Sequence, residues 1–419
     1  MVNCIPQDRY NKDEIAAKLL DYFDGNDFHF KEKTVFLKPS FVFAISDKEK
    51  ALGTNTHNAV VAGTAIALSR LGAKKILIAE HRTIGPARYG FLMVGIKKDI
   101  KGINNVQLCY LDEETCVPVR VENPFIPDHV IQYPKLLLDG GVDFFISLPK
   151  LKSNLFAGIT LSVKNNYGLV NRKERLRYHN DMLHKNLADI SLIRLPDLTI
   201  TDAIISGEGQ GPMEVEPVKT NVLIIGKNCL AVDAVCCHLM MQDPGEIEHL
   251  KLLYQRGVGP LSIEEIDVEG MEYLETKKKH FQEPDHTLEM TPNIRLYIGN
   301  KACKGGCLGM IRHILDAYGR NKGWNSLGDL NIMIGEGVDI PEEELKTLHK
   351  NRTIIYGNCA RKYRRYGTFL KGCPPDYLSA IFKLWISGPL STNPWFKYIS
   401  FSKFFIAYLR HGIKRLFKI

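Results

Sequence analysis

The 419-residue chain has no uninterrupted apolar run long enough to cross a bilayer, which argues against a membrane-spanning segment. Its first residues, "MVNCIPQDRYNKDEIAAKLL", contain early acids and no continuous apolar core, so they lack the pattern of a secretory signal. We therefore expect a cytoplasmic protein. In a reducing compartment, its ten cysteines are expected to be core residues or metal ligands rather than disulfide partners.

Acidic side chains are missing from residues 391–419, although this segment carries six lysines and arginines. The rest of the chain has a net charge of only +2 out of a total of +8, and we expect no nucleic-acid partner. Aromatic and cationic residues of this tail would lie on different sides of a helix. The pattern predicts peripheral contact with an anionic membrane, at its inner face, through residues 391–419. A helix that packs on the body of the protein would show the same pattern.

Strand-like and helix-like segments alternate along the first two thirds of the chain. The predicted strands "KEKTVFLKPSFVFAI" and "KKILIAE", for example, flank a segment with helical spacing. This alternation predicts an α/β fold with a largely parallel layered sheet, and the length of the chain predicts a second, smaller α/β unit. We therefore divide the chain into an N-terminal extension (1–29), an α/β domain (30–274), a linker (275–292), a four-cysteine domain (293–384) and a basic amphipathic tail (385–419).

Four cysteines stand in the second unit, which has no other cysteine: Cys303 and Cys307 in "CKGGC", Cys359 in "GNCA" and Cys373 in "GCPP". Two predicted strands, ending at "YIG" and "IYG", each lead into a cysteine loop, so the thiols are expected to converge. Four thiols are the ligand set of a [4Fe–4S] cluster or of a tetrahedral zinc ion. The remaining alternative is four unrelated core cysteines.

Three features of these loops favour the [4Fe–4S] cluster over zinc. Gly305 and Gly306 leave room for the backbone to approach a bulky cluster, and a Cys-Pro step is common where a cluster ligand closes its loop. The lysines and arginines around Cys359 and Cys373 would offset the negative charge of the cluster. In addition, the first pair is spaced CxxxC, whereas structural zinc sites more often use CxxC.

Polar side chains follow predicted strands of the first unit, in "LPKLKSNLFAGITLSVKNN" and in "TITDAIISGEGQGP". Ligands of open α/β sheets bind at the carboxyl ends of strands, so these segments are candidates for a site. "GEGQGP" lacks the Lys-Ser/Thr ending of a P-loop. We predict that a small anion is held by Lys150, Lys152, Asn154, Lys164 and Asn165 and that protons are moved by Asp202, Glu208 or His184. The alternative is solvated lysines and turn-forming asparagines.

Several of these segments resemble the domain-of-unknown-function 362 family. The resemblance covers roughly residues 30 to 270 and includes "FLKPSF", "LPKLKSNLFAGITLSVKNNYGLV", "PDLTITDAIISGEGQGP" and "NCLAVDAVCCHLM". Ser153 and Asn154 stand where the family commonly has threonine and histidine. The C-terminal cysteine pattern is similar to an extension of some members, and many members carry iron–sulfur domains. The resemblance therefore implies a cluster and names no substrate.

These patterns together predict an iron–sulfur protein. We expect a redox or electron-transfer function that involves a small anionic molecule or a redox partner protein. Two alternatives remain open from the sequence. One is a non-redox enzyme in which zinc or a cluster is a Lewis acid or a structural element, and the other is a binding or assembly protein without catalysis.

Overall fold

The computed structural model describes residues 1–42, 48–81, 85–138, 140–324 and 328–385, together with Leu409. The amphipathic helix predicted for the basic tail therefore lies outside the described residues, apart from Leu409. Across the described ranges, no helix is both long and apolar enough to cross a membrane.

Within the described ranges, the strands form a ten-stranded sheet, a four-stranded sheet and a two-stranded hairpin. In chain order they are β1 (Val2–Pro6), β2 (Thr34–Pro39), β3 (Lys75–Glu80), β4 (Val106–Tyr110), β5 (Cys116–Arg120), β6 (Val130–Pro134), β7 (Phe144–Leu148), β8 (Lys150–Asn154), β9 (Gly158–Thr160), β10 (Leu198–Gln210), β11 (Glu214–Gly226), β12 (Val268–Glu269), β13 (Ile294–Ile298), β14 (Leu330–Ile334), β15 (Thr353–Tyr356) and β16 (Thr368–Leu370).

The α-helices lie mainly between strands, as the alternating pattern predicted. They are α1 (Lys12–Gly25), α2 (Lys48–Thr54), α3 (Asn58–Arg70), α4 (Ala87–Val94), α5 (Ser162–Asn165), α6 (Arg172–Arg177), α7 (Leu183–Ile193), α8 (Cys229–Met240), α9 (Glu248–Gln255), α10 (Met271–Lys277), α11 (Gly309–Lys322), α12 (Glu342–Thr347) and α13 (Tyr377–Trp385).

The large sheet has the order β12-β1-β11-β10-β7-β2-β3-β4, and β8 extends it from β10. The strands from β10 through β7 and β2 to β3 and β4 pair in parallel, whereas β11 is antiparallel to both of its neighbours. The predicted α/β fold with a largely parallel sheet is confirmed. Parallel strands end at the same edge, and this edge carries the site described below.

The first 29 residues, expected to be an extension, contribute β1 and α1 to this layer. Strand β1 pairs with β11 along its full length, and α1 packs against α3. The close helix contact depends on Gly63, because a Cβ there would lie 2.8 Å from the Ile15 side chain and 2.8 Å from the Lys12 carbonyl oxygen. The N-terminal segment is thus packed into the first unit.

The second unit is a four-stranded parallel sheet, in the order β13-β14-β15-β16, with α11, α12 and α13 around it. Its apolar core is continuous with that of the first unit. Phe156 and Leu183 of the first unit belong to the same buried cluster as Ile311 and Ile314 of α11. This shared core fixes the position of the cysteine loops relative to the large sheet.

The segment between the two units runs along β10. The backbone N–H of Gly209 donates to the Gln282 carbonyl at 2.8 Å, and Phe281 is fully buried. Arg312 of α11 forms ion pairs with Asp285 of this segment and with Asp316. The linker therefore takes part in the junction of the two units.

Candidate active site

A cleft opens at the carboxyl ends of β2 and β3, where it meets α5, α6 and the second unit. Among the residues that the structure describes, four of the side chains that line it are cationic, and a single carboxylate, Glu80, lines it with them. The four cations are Lys38, Lys164, Arg172 and Arg175. The electrostatics of the cleft therefore favour an anion.

Lys38 ends up inside the protein because it stands in the buried strand β2. Its ammonium group is 2.8 Å from Glu80 and also donates to Asn165 Oδ1 at 3.2 Å. Glu80 in turn accepts the backbone N–H groups of Phe41 and His81 at 3.1 and 2.8 Å. This network balances the positive charge of Lys38 and holds the Lys38 and Glu80 side chains in place; these two side chains form the floor of the cleft.

Lys164 differs from Lys38 because it makes no hydrogen bond or ion pair within the part of the chain that the structure describes. Its ammonium group lies 4.9 Å from the centre of the Tyr167 ring, a cation–π distance. Desolvation, followed by repulsion from Arg175 and Lys38, lowers the pKa of Lys164 to about 8. An anion in the cleft would relieve this repulsion.

Arg175 and Arg172 bring further positive charge from α6. Arg175 is buried and donates to the His81 carbonyl at 3.1 Å. Arg172 forms an ion pair with Asp376, at the start of α13 in the second unit. The rim of the cleft is thus made by both units.

His179 connects this cleft to the cysteine loops. Its Nδ1 lies 2.7 Å from the Gly305 carbonyl oxygen, and since a carbonyl only accepts, Nδ1 carries the proton. Burial, and then the charge of Lys164, lower the pKa of His179 to about 4, so the ring is neutral at physiological pH. One imidazole therefore lines the cleft and fixes the loop between Cys303 and Cys307.

The four cysteines lie beyond the carboxyl ends of three parallel strands of the second sheet, whereas the sequence predicted only the two strands that precede Cys303 and Cys359. Cys303 precedes a π-helical turn, Lys304–Leu308, that contains Cys307. Cys359 follows β15 and Cys373 follows β16. Backbone hydrogen bonds join the latter two loops, because Gly357 N–H donates to the Leu370 carbonyl and Asn358 N–H to the Gly372 carbonyl.

The thiols interact with one another. The Cys307 thiol donates to Cys303, which lowers the pKa of Cys303 to about 6. The pKa of Cys307 is raised, first by this donated hydrogen bond, then by burial and by the charges of Cys303, Cys373 and Cys359. The lowered pKa makes Cys303 a thiolate at neutral pH, which is the form of cysteine that binds metals.

Glycines make space at these sulfurs. A Cβ at Gly306 would lie 2.7 Å from Cys303 Sγ, and a Cβ at Gly357 would lie 2.7 Å from Cys307 Sγ. The first unit also reaches the loops, because Asn180 Nδ2 donates to Cys373 Sγ at 3.7 Å. Among the described residues, no three His, Cys, Asp or Glu side chains are arranged to hold a single metal ion.

Lys150 and Asp202 form a fully buried ion pair and do not line the cleft. The Lys150 ammonium lies 2.9 Å from Asp202 and 2.8 Å from the Tyr10 hydroxyl, and both members of the pair are fully buried. Asp202 also accepts the backbone N–H of His57 at 2.8 Å. The pair joins β8 and β10 to the N-terminal segment.

Lys152 and Glu208 are likewise placed outside the cleft. Lys152 is buried and donates to the carbonyls of Thr54 and Pro212, while burial and the charges of Lys164 and Lys150 lower its pKa. Glu208 forms an ion pair with Lys279 at 3.1 Å and accepts a backbone N–H from the linker. The three lysines named from the sequence therefore do not converge on one open cleft.

Asn154 and Asn165 do line the cleft, but their side-chain amides form hydrogen bonds with other residues of the protein. Asn154 accepts the backbone N–H groups of Phe156 and Ala157 and donates to Thr160. Asn165 donates to the Lys38 carbonyl and to Ser147. Both side chains position the loops from which the cleft is built.

His184 lines a second cleft, which touches Cys303 from the side of α7 and α9. Its Nδ1 accepts the backbone N–H of His249 and lies 3.0 Å from His249 Nδ1. Burial lowers the pKa of both rings. His184 is thus close to the cysteines but on a different face from Lys164.

Three residues that sequence reasoning did not select are central to the cleft. Lys38, Arg175 and His179 come from β2, α6 and the turn before α7. The sequence did contain an indication of Lys38, because a lysine within the apolar segment "VFLKPSF" is expected to be buried with a partner. Arg175 stands in a charged helix whose sequence does not show which cation turns inward.

Comparison with known proteins adds a family match over just under half of the chain. Residues 35–238 match the model of the family described as Domain of unknown function (DUF362), and this confirms the resemblance seen in the motifs. The match ends before the four cysteines. A thylakoid-associated protein of Synechocystis sp. is 30% identical over 128 residues, which are 29% of this chain and 40% of that relative. The alignment thus spans less than half of the relative.

Two solved structures match this chain at low similarity. A crystal structure of a Thermotoga maritima protein has a TM-score of 0.40 and 11% identity, with 81% of this chain and 76% of that chain covered. The lactate racemase apoprotein of Thermoanaerobacterium thermosaccharolyticum has a TM-score of 0.33 and 10% identity, with 53% and 54% covered. At such TM-scores, neither likeness assigns a function to this chain.

Proposed function

We propose that the chain is an iron–sulfur protein in which Cys303, Cys307, Cys359 and Cys373 hold a [4Fe–4S] cluster next to the anion cleft. The observation that carries this proposal is the hydrogen bond between His179, which lines the cleft, and Gly305, which stands between two of the cysteines. A cofactor and a substrate that act on each other need this proximity.

The residues of the cysteine loops fit such a cluster. Thiolates are its preferred ligands, and the lowered pKa of Cys303 supplies one at neutral pH. Gly306 and Gly357 keep the space beside two sulfurs clear, and Asn180 places an N–H donor at a third. A cubane also needs its four thiolates farther apart than a single zinc ion does. When bound, the cluster would supply one electron at a time to a neighbouring acceptor.

The chain's own residues have separate roles in this proposal. Lys164 and Arg175 bind the anion, and the Lys38–Glu80 pair holds the floor of the cleft in place. His179 positions the cysteine loop by donating from Nδ1, and its neutral ring leaves Nε2 as a hydrogen-bond acceptor. Asp202 and Lys150 are assigned a structural role, because their charges are fully buried and paired.

Contact with a membrane is a separate proposal. The relative in Synechocystis sp. is named thylakoid-associated, and residues 391–419 carry six cations and no acid. We infer that this tail places the protein at an anionic lipid surface, where a redox partner protein is an alternative electron donor or acceptor to a small molecule.

Anaerobic purification of the full chain, with iron, labile sulfide and zinc assays, tests the cluster. About four irons and four sulfides per chain are expected, from the composition of a [4Fe–4S] cluster. Cys359→Ser should lower both values sharply. Cys236→Ser is the matched control, because Cys236 lies buried in α8 and should leave the iron content unchanged. Equimolar zinc without labile sulfide would favour the non-redox alternative.

A further inference from the structure

We propose that the cleft takes an amphipathic organic anion, with its charged head group against Lys164 and Arg175 and its apolar body against Phe156, Met310 and Tyr377. The inference rests on the proposed function, since it names the class of molecule that the same cleft would bind. It follows from the uneven distribution of charge and apolar surface along the walls.

The charged end of the cleft belongs to the first unit. Lys38 is already paired with Glu80 and Arg172 with Asp376, whereas Lys164 makes no hydrogen bond or ion pair among the described residues. Lys164 is therefore the cation that an incoming anion reaches, and Arg175, which donates to the His81 carbonyl, adds positive charge beside it. The backbone of Gly168 approaches Lys38 closely at this end and makes it narrow. Only glycine fits there, because a Cβ would lie 2.6 Å from the Lys38 ammonium. A carboxylate and a phosphate ester share the oxygen chemistry that these groups recognise.

The apolar end lies at the junction with the second unit. The Phe156 ring is 4.9 Å from the ring of His179 and 6.4 Å from that of His313, which in turn lies 5.4 Å from Tyr377. Met310 completes this wall from α11. A small inorganic anion would leave the whole wall in contact with water, whereas a ligand with an apolar body would cover it.

The orientation of the ligand follows from the positions of the charged and apolar ends of the cleft. Phe156 packs directly on the start of α11, since a Cβ at Gly309 would lie 2.6 Å from the Phe156 ring. Gly309 is two residues beyond Cys307. The apolar body of the ligand would therefore lie on the side of the cysteine loops, and the head group would be held away from them at the sheet edge.

Calorimetric titration of the full chain under anaerobic conditions, with acetate, butyrate, hexanoate and octanoate as probes, tests this inference. Each added methylene should tighten binding roughly three- to fourfold until the wall is covered. 1-Hexanol, which has the body without the charge, should bind much more weakly than hexanoate. Hexyl phosphate, compared with hexanoate, separates a phosphate ester from a carboxylate as the preferred head group.

Variants show whether these probes occupy this cleft. Lys164→Met should weaken octanoate binding at least tenfold, whereas Lys173→Met, at an exposed lysine of α6, should leave it unchanged. Equal affinities for acetate and octanoate would overturn the inference, as would full octanoate binding by Lys164→Met. A chain that holds zinc or no metal yet shows the chain-length dependence would contradict the proposed function alone. A chain that holds the cluster but does not distinguish acetate from octanoate would contradict this inference alone.

Discussion

His179 Nδ1 lies 2.7 Å from the carbonyl oxygen of Gly305, and through this hydrogen bond the first unit fixes the loop that carries Cys303 and Cys307. The same ring lines the anion cleft beside Lys164. The cleft and the cysteine loop, which the sequence placed in separate domains, are therefore adjacent in the structure.

His179→Ala should loosen the cysteine loop, because the partly buried Gly305 carbonyl loses its donor at a cost of about 0.5–1.5 kcal/mol. We expect faster loss of iron to a chelator, measured by the decay of visible absorbance. His179→Asn is the matched control, since the asparagine Nδ2 can occupy the position of the imidazole Nδ1 and donate to the same oxygen. Equal rates of iron loss for wild type and His179→Ala would show that the contact does not hold the loop.

Anion affinity should fall as pH rises through about 8. The pKa of Lys164 in the free protein is lowered from its usual value to about 8, so the ammonium is charged below that pH and neutral above it. Hexanoate is a suitable probe because it stays ionised above pH 6, and calorimetry should show proton uptake on binding near pH 8 to 9.

Lys164→Arg is the control for this pH dependence, because a guanidinium keeps its charge across the same range. Its affinity for hexanoate should stay level where that of the wild type falls. An affinity of the wild type that does not change between pH 7 and pH 9.5 would exclude Lys164 as the anchor of the anion.

Asp202→Asn should destabilise the protein by about 3–5 kcal/mol, because it leaves the buried Lys150 ammonium without its charge partner. Chemical denaturation measures the change. Glu208→Gln should cost less than about 1 kcal/mol, since its partner Lys279 is half exposed. A stable Asp202→Asn protein that had lost a measured activity would return Asp202 to the catalytic role that the sequence suggested.

Removal of the basic tail should abolish binding to anionic vesicles. Each of the six cations contributes about 1 kcal/mol near such a surface, so binding should also weaken with salt. We expect the intact chain to co-sediment with anionic vesicles at low salt and a chain that ends at Ser391 to stay in the supernatant. Identical sedimentation of the two chains would contradict a membrane role for the tail.

The parallel α/β fold was predictable because it depends on local patterns that the sequence shows directly. Apolar strands such as β2 and β3 alternate with amphipathic helices, and the glycine-bounded ends of β13 and β15 indicated where cysteine loops begin. Family resemblance pointed to the same segments. These signals lie within a few residues of the features they predict.

The composition of the cleft was less predictable because its residues meet only in three dimensions. Lys150 and Lys152 stand two residues apart on β8 and so share a face, as two residues that bind one ligand would. Both faces of this strand are buried, however. α2 supplies the carbonyl that accepts from Lys152, and Tyr10 lies against Lys150. The spacing of residues along a strand shows which of them share a face, and does not show what covers that face.

The proposed coupling between the cleft and a [4Fe–4S] cluster is tested most directly by electron paramagnetic resonance of the dithionite-reduced full chain, with and without saturating octanoate. We expect the spectrum of a reduced [4Fe–4S] cluster, and a shift of that spectrum when octanoate occupies the cleft beside the cysteine loops. In Lys164→Met, the same addition should leave the spectrum unchanged. Absence of a reducible iron–sulfur signal, or a wild-type spectrum that octanoate does not alter despite calorimetrically verified binding, would contradict the account.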